Sequence, residues 1–295
     1  MIEDSTLGRK IFVILNVAFM LLFTMLCLIP LINILALSFS GSSAAGSGIV
    51  KLLPVDFTLK AYEFVMDNGH FWNSFRVSFE RVAIGLPAEL FLTVITAYPL
   101  SRGKREFGFR TFYVWFLFLS VLFSGGIIST YMVVKYTGIM NSMAALILPG
   151  VVNVFNIILM INFFRDLPKE MEEAAFIDGA GHLTLLRHVL IPVSLPSIAT
   201  ITVFILVKHW NSWFDGMIYM NGVSKYPLQT YLQSLVIQRD TNLMMTKEEA
   251  ELLALISEKT TKSAQVFLAT LPIFAVYPFL QRYFITGLVL GSIKG

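Results

Sequence analysis

Side chains that could carry out chemistry are few in this chain and stand far apart. The four histidines, His70, His182, His188 and His209, lack the H-E-x-x-H spacing of a zinc site, and Cys27 is the only cysteine. The sequence has neither the G-x-S-x-G elbow of a serine nucleophile nor the phosphate-binding loop G-x-x-x-x-G-K-[ST]. The sequence therefore predicts no catalytic residue, no metal site and no ATP site within the chain.

Glu89 is the ionisable residue that most directly suggests a function. It lies within the apolar run Val82–Leu100, two residues after Pro87, and is the only charged residue of that run. A carboxylate inside a membrane-spanning helix is costly and commonly marks a transport path. The alternative is a structural role, in which Glu89 pairs with Arg81 or with a neighbouring helix, and we favour that alternative.

Amide and aromatic side chains near the ends of other apolar runs are further candidates for a transport path. Sugars are bound by aromatic faces together with amide donors, and the residues of these types are Tyr131, Asn153, Asn156, Trp210, Asn211 and Trp213. Asparagines also join helices by hydrogen bonds, and Trp and Tyr anchor ordinary spans at the membrane interface. Both interpretations remain open at this point.

The elements that must position these residues are apolar. Of the 295 residues, 56% are hydrophobic and 14% are charged, whereas a soluble domain has about a quarter charged residues. Six runs can each supply the roughly 20 residues of a spanning helix. They are Ile11–Phe39, Val82–Leu100, Thr111–Val134, Tyr136–Phe164, Val189–Val207 and Ser263–Gln281. The chain is therefore predicted to be an all-α polytopic membrane protein with six transmembrane helices.

Basic residues concentrate in alternate short loops and so predict the orientation. Four of them, at positions 102, 104, 105 and 110, lie between spans two and three, and three more, at 165, 169 and 187, lie between spans four and five. The loop between spans three and four holds only Lys135. Both termini and the loop 166–192 are therefore expected in the cytosol. The net charge of +3 is scattered and predicts no nucleic-acid partner.

The two long loops, about 40–72 and 208–262, are expected on the outer side. The first contains SGSSAAGSG at Ser40–Gly48, a composition that predicts a flexible linker. The second contains Thr246–Ser257, in which Thr246 as N-cap and Glu249 at the capping-box position predict a helix. We divide the chain into an N-terminal span with its outer loop, 1–72, and a core of five spans, 73–295.

The loop 166–192 is charged and has an ordered pattern. Asp166 before Pro168 predicts a helix start, and the acidic side chains that follow suit the positive end of a helix dipole. Ala174 and Ala175 would leave a flat face that another backbone can approach. Gly179 can end this helix, because glycine tolerates positive φ. A second short helix, about His182–Ile191, is expected to end at Pro192, giving a helix–turn–helix whose exposed face is small and acidic.

The same loop carries a resemblance to a known family. Glu173-Ala174-Ala175, Asp178-Gly179-Ala180 and Val189-x-Ile191-Pro192 resemble the EAA loop of ABC importer permeases. The family prefers Ile-x-Leu-Pro in the last part, so this chain departs from it conservatively. Asn73-Ser74, Trp210-Asn211 and the tail Tyr277-Pro278-Phe279-Leu280-Gln281 resemble the carbohydrate, or maltose-type, branch of that family.

The resemblance implies a fold, a role and a set of partners. In the family the EAA loop is a coupling helix that docks on a cytosolic ATPase. The resemblance therefore assigns ATPase coupling to Glu173, Ala174, Ala175, Asp178, Gly179 and Pro192. It implies a permease subunit of the bacterial cell membrane, paired with a second permease, two ATP-binding cassette subunits and an extracytoplasmic solute-binding protein. ATP and Mg would be bound by the ATPase partner, and this chain would hold no cofactor.

Other functions make different demands on the sequence. A permease for another solute class would share every feature above except the carbohydrate-branch motifs. A secondary transporter driven by an ion gradient should hold several intramembrane ionisable groups, and Glu89 is nearly alone. A membrane-embedded enzyme needs clustered catalytic residues, and a scaffold would leave the EAA pattern unexplained. We therefore predict an ATP-driven importer of a sugar or oligosaccharide.

Overall fold

The computed structural model describes residues 7–123, 125–237 and 258–291, and within these ranges it contains helices and no strand. The α-helices are α1 (Leu7–Ser38), α2 (Ser42–Ser47), α3 (Lys60–Asp67), α4 (Gly69–Ser101), α5 (Arg110–Leu122), α6 (Gly126–Tyr136), α7 (Met143–Ile147), α8 (Val154–Asp166), α9 (Lys169–Ile177), α10 (His182–Leu185), α11 (Ile191–Val193), α12 (Leu195–Asn211), α13 (Phe214–Tyr219), α14 (Leu228–Ile237) and α15 (Glu258–Gly291). Two short 3₁₀ turns, Leu148–Gly150 and Val223–Lys225, and a π turn, Leu186–Leu190, complete the described elements. The all-α prediction is confirmed for this part of the chain.

The chain forms two compact units. Of the residues that the structure describes, one unit comprises 7–69 and 258–270, and the other comprises 70–123, 125–237 and 271–291. The division at residue 72 that we derived from the sequence stays a prediction. The helix predicted at Thr246–Ser257 lies outside the described residues.

In the first unit, the expected flexible linker at Ser40–Gly48 is wrong. Residues Ser42–Ser47 form α2, and Ala44 and Ala45 are buried. Ala44 packs with Ala36 and Val50 in a local cluster, which its small side chain allows. The Ser40 hydroxyl donates to the carbonyl of Ala36 (2.6 Å) and accepts from the Val55 amide (3.0 Å). The serine-rich segment therefore forms a short helix preceded by a hydrogen-bonded serine, rather than a flexible linker.

Two predicted spans are single helices in the structure, and three are broken. Leu7–Ser38 and Gly69–Ser101 are long and apolar enough to cross a membrane. The third, fourth and fifth predicted spans become helix pairs bent by more than 40°, so the described residues hold up to five spans if each pair counts as one. The sixth predicted span falls within α15, whose later side chains are not described, and the number six stays a prediction.

Each break has a local cause in the sequence. The α5–α6 pair is interrupted beside Gly126, which has φ +75°. Half-helix Met143–Gly150 and α8 meet at a bend of 51°, where Asn153 caps α8 by accepting from the amides of Phe155 and Asn156. The bend of 81° before α12 lies at Ser194, between Pro192 and Pro196. Apolar composition alone predicts a span but carries none of these interruptions.

The core of the second unit is built on α4, α8 and α12. In α8, Ile157, Met160, Ile161 and Phe164 recur every three or four residues, so one side of the helix is buried. They pack with the last turns of α4 and with the middle of α12. The buried stripe of α4 changes character along its length: it is polar through Ser74, Ser78, Arg81, Glu89 and Thr93, and apolar from Val94 to Leu100. The helix that anchors the core therefore also buries charge.

Candidate functional site

The EAA segment, defined here as Lys169–Val193, begins with a helix that ends at a glycine-dependent turn. Gly179 follows the C-cap Asp178 and has φ +80°. Its amide donates to the Phe176 carbonyl (3.0 Å), and the Ala180 amide donates to the Ala175 carbonyl (2.9 Å). These two bonds are the Schellman pattern of a helix end, which places a residue in the left-handed region. Gly179 therefore has the conformational role expected from the sequence.

The solvent-exposed face of the EAA segment holds most of the predicted coupling residues. Glu173, Ala174, Asp178, Gly179 and Pro192 are exposed. Ala175 is half-buried and packs against the core of the second unit. The structure brings these residues onto one surface segment, and their role in coupling stays a prediction.

The sequence predicts an exposed face of small and acidic residues, but this face also carries large apolar side chains. Ile177 is 85% exposed and Leu183 is 76% exposed, one on each side of the glycine turn. The difference arises because the short helices bury other side chains, Leu185, Leu186 and Leu190, toward the core. Two large apolar side chains are thus left uncovered beside the exposed acidic residues, a mixture typical of a protein-binding surface.

The end of α4 is tied to both short helices of the EAA segment. Arg102 pairs with the Glu172 carboxylate of α9, and its guanidinium lies 4.5 Å from the centre of the Tyr98 ring. The Tyr98 hydroxyl is 2.7 Å from Nδ1 of His182 in α10. We call these four residues the α4 clamp. No local pattern pairs positions 70 and 84 residues apart, and only the packing of α4 beside α9 and α10 brings them together.

A second group of polar residues is buried between α4, α8 and α12. Glu89 is fully buried, and its carboxylate receives Nζ of Lys208 (2.8 Å) and Nδ2 of Asn156 (3.2 Å). Nε2 of His209 faces the same carboxylate at 3.2 Å. Glu89 thus pairs with the neighbouring helix α12 rather than with Arg81, and whether it has a structural role or lines a transport path stays a prediction.

Arg81 extends this group toward α13. It pairs with both carboxylate oxygens of Asp215, and its Nε donates to Nδ1 of His209 at 3.4 Å. Because a guanidinium can only donate, Nδ1 of His209 is the acceptor in this contact, and Nε2 faces Glu89. We call the set Arg81, Glu89, Asn156, Lys208, His209 and Asp215 the polar node. The node holds two cations, Arg81 and Lys208, and two carboxylates, Glu89 and Asp215.

The other predicted path residues are not part of the polar node. Asn153 is occupied as the N-cap of α8, and Tyr131 stacks on Tyr219 with ring centres 6.5 Å apart. Trp210 is buried edge-on against Phe75 (5.6 Å), and Asn211 and Trp213 are exposed. The structure thus brings Glu89 and Asn156 into contact and leaves the aromatic candidates in separate places. Whether any of them touches a transported solute stays a prediction.

Sequence reasoning did not predict Lys208, His209 and Asp215 as site residues, and it considered Arg81 only as a possible partner of Glu89. Lys208 and His209 directly follow the fifth apolar run, which we ended at Val207, and Arg81 directly precedes the second run. Charges at run ends are read as ordinary interface residues, because long side chains commonly reach the headgroups there. A carboxylate inside one run and a cation at the end of another could have suggested a pair, but no local spacing links them.

The chain is similar over nearly its whole length to bacterial permeases. It is 36% identical over 292 residues to the polygalacturonan/rhamnogalacturonan transport system permease protein YtcP of Bacillus subtilis (strain 168), covering 97% of this chain and 99% of the relative. It is 38% identical over 291 residues to protein LplC of the same organism, covering 99% and 97%. The sn-glycerol-3-phosphate transport system permease protein UgpE of Brucella abortus (strain 2308) is 25% identical over 274 residues.

A solved structure shares the fold. One chain in the crystal structure of a bacterial ABC transporter involved in the import of the acidic polysaccharide alginate matches with a TM-score of 0.85 and 31% identity, covering 95% of this chain and 98% of that chain. No family model matches the sequence.

Proposed function

The chain belongs to the family of ABC importer permeases, and from that premise we propose that it carries a sugar or oligosaccharide across the cytoplasmic membrane of a bacterium. The solute would be delivered by an extracytoplasmic binding protein. The relatives named for polygalacturonan/rhamnogalacturonan and the transporter for alginate support a carbohydrate and favour pieces of a polysaccharide. As a transport subunit, the chain contributes the path and not the hydrolysis of ATP.

We propose six spans with both termini and the EAA segment in the cytosol. The five candidate spans of the described residues and the sixth apolar run support the number, and the basic residues around positions 102–110 and 165–187 support the orientation. In this arrangement α13 and α14, which follow the fifth span, lie on the outer side.

We propose a complex with a second, similar permease and two ATP-binding cassette subunits, which bind ATP and Mg. The absence of a phosphate-binding loop from this sequence supports a separate ATPase. The observation that carries the proposal is the exposed EAA segment itself. It offers Glu173, Asp178 and two bare apolar side chains, Ile177 and Leu183, on an element whose other side is fixed to the core.

The geometry suggests how ATP binding would move the path. Closure of the ATPase pair would displace the EAA segment, which continues through the bend at Ser194 into α12. The α4 clamp would carry the same displacement into α4, because Tyr98 and Arg102 contact both α9 and α10. Because α8 packs in the same core, α4, α8 and α12 would then move together between inward-facing and outward-facing states, as a two-state element biased by a remote ligand.

The proposal is tested by uptake into proteoliposomes that contain this chain co-expressed with the transport subunits encoded beside it. Labelled oligosaccharides from polygalacturonan, rhamnogalacturonan and alginate are the probes. We expect uptake that requires the binding protein outside and ATP inside, and that persists when an ionophore collapses the ion gradients. Uptake that ignores ATP and stops with the ionophore would instead identify a secondary transporter. ATP-dependent uptake of other solutes alone would reject the carbohydrate assignment.

A further inference from the structure

The polar node holds the broken fourth span in place through two carbonyl groups. Nζ of Lys208 donates to the carbonyl of Gly150 (2.6 Å) while it pairs with Glu89. Nη2 of Arg81 donates to the carbonyl of Leu146 (2.9 Å) while it pairs with Asp215. Both carbonyls belong to half-helix Met143–Gly150. Each cation of the node therefore connects a carboxylate to this half-helix.

These contacts lie where the backbone needs them. Gly150 ends the half-helix, and the carbonyls at a helix end have no donor within the helix. In a membrane an unsatisfied carbonyl is costly, and a cation also suits the negative end of the helix dipole. The side chain of Lys208 is 35% exposed, whereas that of Glu89 is fully buried. Lys208 is thus the accessible half of the pair and the one that reaches the half-helix.

The node also connects the half-helix to the part of the chain that ATP would drive. Lys208 and His209 lie near the end of α12, 14 and 15 residues beyond the bend at Ser194, which corresponds to about 21 Å of helix. Glu89 and Arg81 lie on α4, whose other end forms the α4 clamp with the EAA segment. Both helices that contact the EAA segment therefore reach the half-helix through the same group of charges.

We propose that Lys208 and Arg81 are positioning residues for transport, which fix half-helix Met143–Gly150 to α12 and α4 so that it moves with them. This proposal rests on the proposed function, because it presumes that the EAA segment is driven by ATP. Glu89 and Asp215 hold the two cations in position, and His209 joins the two pairs. Loss of the contact to the half-helix should separate ATP hydrolysis from uptake.

A purely stabilising ion pair makes different demands. If Glu89 and Lys208 only neutralise each other, loss of either one leaves the other charge without its partner, and removing both restores the protein. If Lys208 also positions the half-helix, removing both charges restores assembly but leaves the Gly150 carbonyl without its donor. The Glu89→Gln variant, by contrast, keeps Lys208 on Gly150. The two roles therefore differ in how the single and double variants rank.

The experiment compares Lys208→Met, Glu89→Gln, the double variant Glu89→Gln/Lys208→Met and Lys208→Arg in the full complex in proteoliposomes. It measures the amount of assembled complex, ATP hydrolysis and uptake of the labelled oligosaccharides that the wild type transports. In the double variant we expect assembly and ATP hydrolysis near the wild-type level, and uptake per ATP lowered about tenfold, as for the loss of a hydrogen bond to a charged group. Glu89→Gln should lose less uptake per assembled complex than Lys208→Met, and Lys208→Arg should retain most of it.

Three results would overturn the positioning role. The first is wild-type uptake per ATP in the double variant. The second is an equal loss per assembled complex in Glu89→Gln and Lys208→Met. The third is failure of every variant to assemble, which would assign the node to folding alone. A wild-type complex without ATP-dependent uptake would reject the proposed function instead, so the two failures are distinguishable.

Discussion

The EAA segment and the polar node are built in opposite ways from the same kinds of residues. In the EAA segment, acidic side chains and glycines lie on an exposed surface within about 25 consecutive positions, and the turn at Gly179 is held by bonds within the segment. In the polar node, charges 119 and 134 residues apart meet in a buried site. A surface that docks on a partner can be local, whereas a buried charge needs partners from several helices. In the proposed mechanism the ATPase displaces the EAA segment, and the polar node makes the half-helix Met143–Gly150 move with it.

Substitutions that disturb the polar node should destabilise the protein most, and a substitution at Gly85 should have the largest effect. A methyl group at this position would lie 2.8 Å from Cε1 and Nε2 of His209, whose ring is held between Arg81 and Glu89. We expect Gly85→Ala to destabilise the protein by about 1–3 kcal/mol, although alanine favours a helix more than glycine does. Thermal unfolding of the purified complex measures the change.

Gly69→Ala is the matched control in the same helix. Nothing lies within 4 Å of a methyl group at that position. We expect it to leave the melting temperature unchanged or slightly raised, because only the gain in helix propensity remains. If the two substitutions had the same effect, His209 would not be confined as described and the node would be looser than its contacts indicate.

On the EAA segment the largest effect should come from the exposed apolar side chains. Ile177→Ser and Leu183→Ser remove large apolar groups from a surface that we propose to be covered by the ATPase, and each buried side chain of this kind contributes about 1.5–3 kcal/mol. We expect about tenfold weaker retention of the ATPase subunits during purification, with the stability of the permease itself unchanged.

Ile49→Ser provides the comparison for these two substitutions. Ile49 is 59% exposed and lies in the loop that we expect on the outer side. It should leave the association with the ATPase unaffected. Weaker retention after Ile49→Ser, or normal retention after both changes in the EAA segment, would contradict the assignment of the docking face.

How much of each region could be predicted from the sequence follows from the range of the forces that build it. The start of α9 after Pro168 and its end at Gly179 depend on neighbouring residues, so composition and spacing were sufficient. The break at Asn153 depends on a helix cap, and the apolar composition on both sides of it predicts an unbroken span. The helix at Ser42–Ser47 depends on packing of small side chains, and its serine-rich composition predicts a linker. Lys208 meets Glu89 only after α4, α8 and α12 pack together, which no local pattern records.

Substitutions in the α4 clamp should have a smaller effect than those in the EAA segment or the polar node. The clamp connects α4 to the EAA segment but forms neither the docking surface nor the buried charge cluster. Arg102→Gln removes the ion pair with Glu172, whose side chains are 9% and 17% exposed, and it also removes the cation above the Tyr98 ring. A hydrogen bond to a charged group contributes about 1.5–3 kcal/mol, of which only the part that differs between the two states affects transport, so we expect uptake to fall about threefold. Initial rates of uptake at fixed ATP hydrolysis measure this.

Arg105→Gln is the control for the clamp. Arg105 carries the same charge in the same loop but is exposed, and it should have no effect on uptake. An equal loss in both variants would mean that the charge of the loop matters rather than the contact with the EAA segment.

The central claim, that this chain is driven through its EAA segment, is tested most directly by comparing Gly179→Val with Gly181→Val in ATP-dependent uptake. Both glycines are exposed with nothing within 4 Å of an added Cβ atom, but Gly179 has φ +80° and Gly181 has φ −79°. Valine at positive φ costs at least about 1–2 kcal/mol and so should destroy the turn between α9 and α10. We predict that Gly179→Val inserts into the membrane but loses ATP-dependent uptake, while Gly181→Val keeps it. Normal uptake by Gly179→Val would contradict the account.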